Sequence, residues 1–212
     1  MAPSRLKLLL VPALAALATA GCGSSSFPGK KAPPTSTPAS TSTGSSATAA
    51  GALSAEAKSA ATGDIPDNQV FLVFTNKAAG YAIKYPEGWT QNGSARAVTF
   101  ADKNNVVRIL IGHGPSPTTA SLAAQLGALK RSTPTLTFTT PQTVQLPSGA
   151  GLKATYTTES QPNPVTGKRV TLIVDRYEVA SGARVAIVDL GTPRGVDNVD
   201  AYRMMIRSFR WL

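Results

Sequence analysis

The stretch GYAIKYPEGWT, Gly80 to Thr90, sets Tyr81, Ile83 and Tyr85 against Ala82 and Lys84, then stops at Pro86 and presents Trp89. Apolar residues two apart share one face of a strand, so the stretch reads as a half-buried β-strand. Pro86 has no amide hydrogen to donate and ends the pairing, and Gly88 supplies the turn that brings Trp89 back toward a core. Folding alone accounts for every residue, so the stretch is a mark of architecture and not a recognition site.

The same alternation runs outward from it. QVFLVFT precedes it, and AVTFAD and NVVRILIGHG follow, ending near His113. A second group comprises QTVQLP, LKATYTTES, RVTLIVDRYEVA and ARVAIVDLG, with turn signals every ten or so positions, as short antiparallel strands require. Between the groups, Leu122, Leu126 and Leu129 recur at helical spacing, with Thr118 or Thr119 as the cap. A closing helix places Val199, Tyr202, Ile206 and Phe209 on one face, and Asp197 charges or caps its N-terminus. Strands, helix, strands and helix in that order predict an α+β fold, a central antiparallel β-sheet flanked by helices in an α/β/α sandwich. Three glycine-containing stretches read as turns: Asn92-Gly93-Ser94, SGAGLK with Gly149 and Gly151, and NPVTGKRV with Pro164 and Gly167.

The first 21 residues read differently. Arg5 and Lys7 precede the apolar run LLLVPALAALATA and then Gly21-Cys22, the layout of an export signal too short to span a bilayer comfortably. LATAGC resembles a bacterial lipobox: Ala20, Gly21 and Cys22 match it, with Thr19 where leucine is commonest. The resemblance implies that Cys22 becomes the first residue and carries acyl chains such as palmitate. Cys22 is the one cysteine of the 212 residues, so no intramolecular disulfide competes for it. Two acyl chains anchor stably where one binds reversibly. From Cys22 to residue 65 the chain is rich in Ser, Thr, Ala, Pro and Gly and reads as a disordered tether. A flexible coil of that length, roughly forty residues, reaches about 35 to 40 Å.

From Ile65 onward sixteen Lys or Arg face nine Asp or Glu within a chain of net charge +10. On an exported, tethered domain such a surface favours anionic lipid or acidic wall polymers over nucleic acid. The aromatics between Tyr202 and Trp211 fall at helical spacing and face a core, so no nucleic-acid platform is expected. His113 is the single histidine and the one candidate general base, with Ser116 and threonines as its local company and no Gly-x-Ser-x-Gly elbow to seat a nucleophile. Asp64 with Asp67 and Asp197 with Asp200 are pairs, short of a metal loop. The Gly167-Lys168 step lacks the P-loop's earlier glycine, Pro162 standing there, and its Ser or Thr, which Arg169 replaces. No catalytic set, cofactor or metal is therefore expected.

With Phe71 and Phe74 ahead of it, the pattern Gly80-Tyr81-x-Ile83-x-Tyr85-Pro86-x-Gly88-Trp89, closed by Ile206-Arg207-Ser208-Phe209, resembles the PsbP-like family, which includes actinobacterial lipoproteins. The resemblance spans Val70 to Leu212. It implies an antiparallel sheet with helices on both sides, shared with the Mog proteins, and binding or assembly roles in place of catalysis. Photosynthetic members attach to photosystem II and help retain calcium and chloride; only the architecture is carried over here. The organisation expected is a signal peptide over 1–21, a lipidated tether over 22–65 and a PsbP-like domain over 66–212. The expected function is non-enzymatic: a protein held by Cys22 on the extracytoplasmic face of a bacterial membrane, binding a partner protein or an envelope ligand. The alternatives are a lipid or small-molecule carrier, which needs an apolar cavity between sheet and helix, and a hydrolase using His113.

Overall fold

The computed structural model describes residues 62–163 and 166–212. All belong to the unit Thr43–Leu212. The signal segment, Cys22 and the tether through residue 61 lie outside the described residues, as do Pro164 and Val165.

Strands β1 (Phe71–Asn76), β2 (Tyr81–Pro86), β3 (Thr90–Ser94), β4 (Ala97–Asp102) and β5 (Asn105–His113) come first, then helix α1 (Thr119–Ser132). Strands β6 (Gln142–Leu146), β7 (Gly149–Glu159), β8 (Thr171–Ser181) and β9 (Arg184–Pro193) follow, then helix α2 (Val199–Ser208) and the short β10 (Arg210–Trp211). Every pairing is antiparallel. The strands form two sheets, one of seven in the order β3-β4-β5-β9-β8-β7-β6 and one of three in the order β1-β2-β10. The fold is α+β, with α1 on one face of the large sheet and the small sheet with α2 on the other.

Alternation decides which side of the large sheet meets which layer. Val98, Phe100, Val107, Ile109, Val188 and Leu190 meet Tyr81 and Ile83 of β2 and Tyr202, Met205 and Ile206 of α2. The opposite face gives Leu152, Ala154, Tyr156, Leu172 and Val174 to Leu122 and Leu126 of α1. The strand reading of the opening stretch holds: Tyr81 and Ile83 are fully buried, Tyr85 stacks on Phe100 and Trp89 returns to the core through Gly88 at φ +87°. Ala82 is buried as well, in the middle strand of the small sheet, opposite Thr75 of β1 and Arg210 of β10.

Thr118 caps α1. Its Oγ1 accepts from the Ser121 amide at 3.0 Å while Ser121 Oγ accepts from the Thr118 amide at 2.9 Å, a reciprocal box that satisfies two otherwise orphan donors. Lys130 and Arg131 sit in the last turn, where the helix dipole favours cations. Thr118→Ala should lower stability by about 1 kcal/mol, read as a lower urea midpoint at unchanged slope; an unmoved midpoint would mean that the cap is idle.

Four local expectations need correction. Asn92 and Gly93 are not a hairpin turn: both pair within β3, opposite Thr99 and Val98, and the turn falls at Ala95 and Arg96. Glycine is needed at 93 because its φ is +110° and a Cβ would lie 2.1 Å from the Ala97 carbonyl oxygen. Gly149 and Gly151 likewise pair inside β7, and Pro147 and Ser148 make the turn. Val199 lies off the core face, 62% exposed at the first position of α2, and the buried stripe is Tyr202, Met205 and Ile206. The helix also stops at Ser208, where extended backbone at Phe209 delivers β10 to the edge of β2. Gly167 does form the β7–β8 hairpin, its amide donating to the Asn163 carbonyl at 2.8 Å.

Where the chain enters the domain it is held by buried amides. Asn198 Oδ1 accepts from the Ile65 amide at 2.8 Å, and the Asn198 and Asn105 side chains both donate to the Gly63 carbonyl. Each bond satisfies a polar group that would otherwise be stranded out of water.

Candidate functional site

Helix α1 has 14 residues and is therefore about 21 Å long. Its Leu122 and Leu126 pack over β7 and β8. The β5 and β9 half of the same face is less covered, and Leu110, Val185 and Ile187 remain partly exposed there. Between these residues and the first turns of α1 lies a cavity of about 550 Å³, lined also by His113, Pro115, Ser116, Pro117, Gln125 and Glu178. Its size falls in the range of small-molecule sites, roughly 300–1,000 Å³.

Glu178 on β8 is the unusual member. Its residue is 1% exposed, and neither carboxylate oxygen accepts a hydrogen bond. Burial pushes its pKa up; the Gln125 side chain and the Arg176 charge oppose the rise, although no Gln125 contact has the geometry of a hydrogen bond. Among the described residues lining the cavity, Glu178 is the only acidic or basic side chain apart from His113.

Its neighbours explain why it has no partner. Arg108, Asp189 and Arg176 stand opposite one another on β5, β9 and β8, so strand register lays them in a row on the α1 face. Arg176 grips Asp189 with both arms, Nε to Oδ1 at 2.7 Å and Nη2 to Oδ2 at 2.9 Å, and Arg108 Nη2 adds a third bond at 2.6 Å. The Tyr156 hydroxyl donates to the same carboxylate at 3.3 Å, and its ring lies 5.2 Å from the Arg176 guanidinium. Burial alone would raise the Asp189 carboxyl, but the Arg176 hydrogen bonds and charge, joined by Arg108, hold it below the usual range. Burial, reinforced by the Asp189 charge, pushes the Tyr156 hydroxyl up to about 12. Arg176 is thus committed to Asp189 and makes no bond to Glu178.

His113 ends β5 in an exposed position, paired through its backbone with Arg184 of β9, and its side chain makes no hydrogen bond or ion pair among the described residues. Ser116 and Glu178 line the same cavity, yet none of the bonds that would couple a nucleophile, a base and an orienting acid is formed. The two aspartate pairs do come together: Asp64, Asp67, Asp197 and Asp200 line a second cleft of about 780 Å³ with Phe71 and Met204. Among the described residues, no three His, Cys, Asp or Glu converge closely enough to hold a metal ion. Asp197 accepts from the Val199 amide at 3.2 Å, the terminal role expected of it. No helix among the described residues is long and apolar enough to cross a membrane.

Glu178, Arg176, Asp189 and Arg108 escaped sequence reasoning because charged residues alternating with apolar ones in a strand look like a solvated face. For Arg176 and Glu178 the available signal was the length of the run around them: TLIVDRYEVA is too apolar for a strand wet on one side.

No protein-family model matches the chain, and no curated protein does. Solved structures similar to it include cyanobacterial PsbP (CyanoP) from Synechocystis, 13% identical over 71% of this chain and 98% of that one, with a TM-score of 0.47. The Ran-binding protein Mog1p of Saccharomyces cerevisiae is 9% identical over 67% of this chain and 95% of its own, with a TM-score of 0.44. A protein of Bacteroides thetaiotaomicron is 14% identical over 66% of this chain and 48% of its own, also at 0.44.

Proposed function

We propose that this is a non-enzymatic, lipid-anchored protein of the bacterial cell envelope, on the extracytoplasmic face of the membrane, whose folded domain binds a ligand in the cavity beside α1. One observation carries the reading: the cavity is apolar, of small-molecule size, and lined by Glu178, whose buried carboxylate accepts no hydrogen bond. A binding site is expected to hold such a group, because a bound ligand supplies the missing hydrogen bonds. His113 supports binding over hydrolysis, since it stands exposed without an orienting carboxylate. The carrier reading shares this cavity and differs in whether the ligand is later passed on.

The anchor rests on the lipobox at Cys22. Cys22→Ala should move the protein out of the membrane fraction on cell fractionation, while the wild-type chain stays bound in high salt. Full retention of the variant would refute the anchor and leave the basic surface to explain attachment.

A further inference from the structure

We infer that the cavity beside α1 takes a ligand with an ammonium or guanidinium group on an apolar stem, the cationic head meeting Glu178 and the stem lying on Leu110, Val185 and Ile187. The inference rests on the ligand-binding reading of that cavity and adds the chemistry of its occupant.

Glu178 lacks the partners that its burial calls for. A buried carboxylate normally accepts several hydrogen bonds, and this one accepts none. The cations on its sheet face are Arg108 and Arg176, and both bond to Asp189. Those two arginines with Asp189 and Glu178 sum to zero charge, so on this sheet face no local excess of positive charge repels an incoming cation. Nor does the protein fill the gap from the helix side. The N-terminal amide of Ser121 is capped by Thr118, and Gln125, the one amide of α1 on the cavity, forms no hydrogen bond to Glu178. A charge-assisted N–H···O bond is roughly twice as strong as a neutral one. The rest of the lining is mainly apolar, with Pro115 and Pro117 beside the aliphatic sheet residues, and can bury a short hydrocarbon stem. A carboxylate ligand would place like charges together, and an alcohol would donate one hydrogen bond without bringing the positive charge that neutralises the buried carboxylate.

The test titrates the full chain with hexylammonium, hexanol and hexanoate and follows binding by two-dimensional NMR. The expected result is that hexylammonium binds at least tenfold more tightly than hexanol, that hexanoate binds least, and that shifts centre on Leu110, Val185, Ile187 and Gln125. Glu178→Gln should bring hexylammonium down to the level of hexanol and leave hexanol unchanged. Equal affinity for hexylammonium and hexanol in the wild-type chain would overturn the cationic ligand while keeping the cavity as a binding site. No binding of any of the three would overturn the ligand-binding reading with it. A lysine-containing tripeptide, blocked at both ends, then separates two sources of the same chemistry: tighter binding than hexylammonium assigns the site to a partner's side chain, and weaker binding assigns it to a free amine.

Discussion

Replacing Asp189 by alanine should destabilise the domain by about 3–5 kcal/mol, the loss seen when one partner of a buried ion pair is removed. The Asp189 side chain is 3% exposed and Arg176 6%, so the variant strands a guanidinium in a dry part of the molecule. Arg108 is 44% exposed and can turn to water; Arg108→Ala should therefore change stability by no more than about 1 kcal/mol. Urea denaturation of both variants measures the contrast, and equal losses would mean that burial does not set the value of these bonds. The sign with pH follows from Asp189's lowered pKa. Its stabilisation is present above the unfolded carboxyl value, about 3.9, and is lost as pH falls through the lower folded value. Glu178 acts in the opposite sense. Its raised pKa makes the ionised form a penalty at neutral pH, relieved as pH falls through the folded value. Wild type and Glu178→Gln should therefore converge in stability on mild acidification.

Most elements were legible because each is a local pattern: alternation marked eight of the ten strands, the Leu122, Leu126 and Leu129 spacing marked α1, and Thr118 or Thr119 its start, while the exposed β3 passed for a turn at Asn92-Gly93. What stayed hidden depends on register. Nothing near Asp189 in the sequence reveals that Arg108 and Arg176 stand beside it, since the three come together only when β5, β9 and β8 align. The cavity was hidden for a related reason, because it arises from how little of the β5 and β9 face α1 covers. The division into two sheets was also unreadable. Strands β1 and β2 pair with each other and with none of the strands of the large sheet, and their third partner, β10, is a two-residue strand that helical periodicity absorbed into α2. Tertiary pairing with β2 overrode that periodicity, which the Ile-Arg-Ser-Phe pattern shows no sign of by itself.

Phe100→Ala should produce a loss of similar size, about 3–5 kcal/mol for a fully buried phenylalanine, by separating layers that Asp189 does not touch. Phe100 is 0% exposed on the face of the large sheet turned away from α1. Its ring stacks on Tyr85 at 4.3 Å between centroids and meets Phe74 edge-on at 5.2 Å, so it joins β4 to both β2 and β1. Such aromatic pairs contribute about 0.5–1.5 kcal/mol beyond the area they bury. A double-mutant cycle with Tyr85→Leu should recover a coupling in that range, and strict additivity would show that the rings fill space without specific contact. Phe100→Leu should lose much less, since most of the apolar volume remains. The two faces of the sheet also permit a control. Glu178 lies on the opposite face, so folded Phe100→Ala protein should keep its preference for hexylammonium over hexanol. Loss of that preference would mean that the aromatic cluster between the sheets sets the shape of the cavity. In that case the GYAIKYPEGWT strand, which supplies Tyr85, would bear on binding as well as on folding.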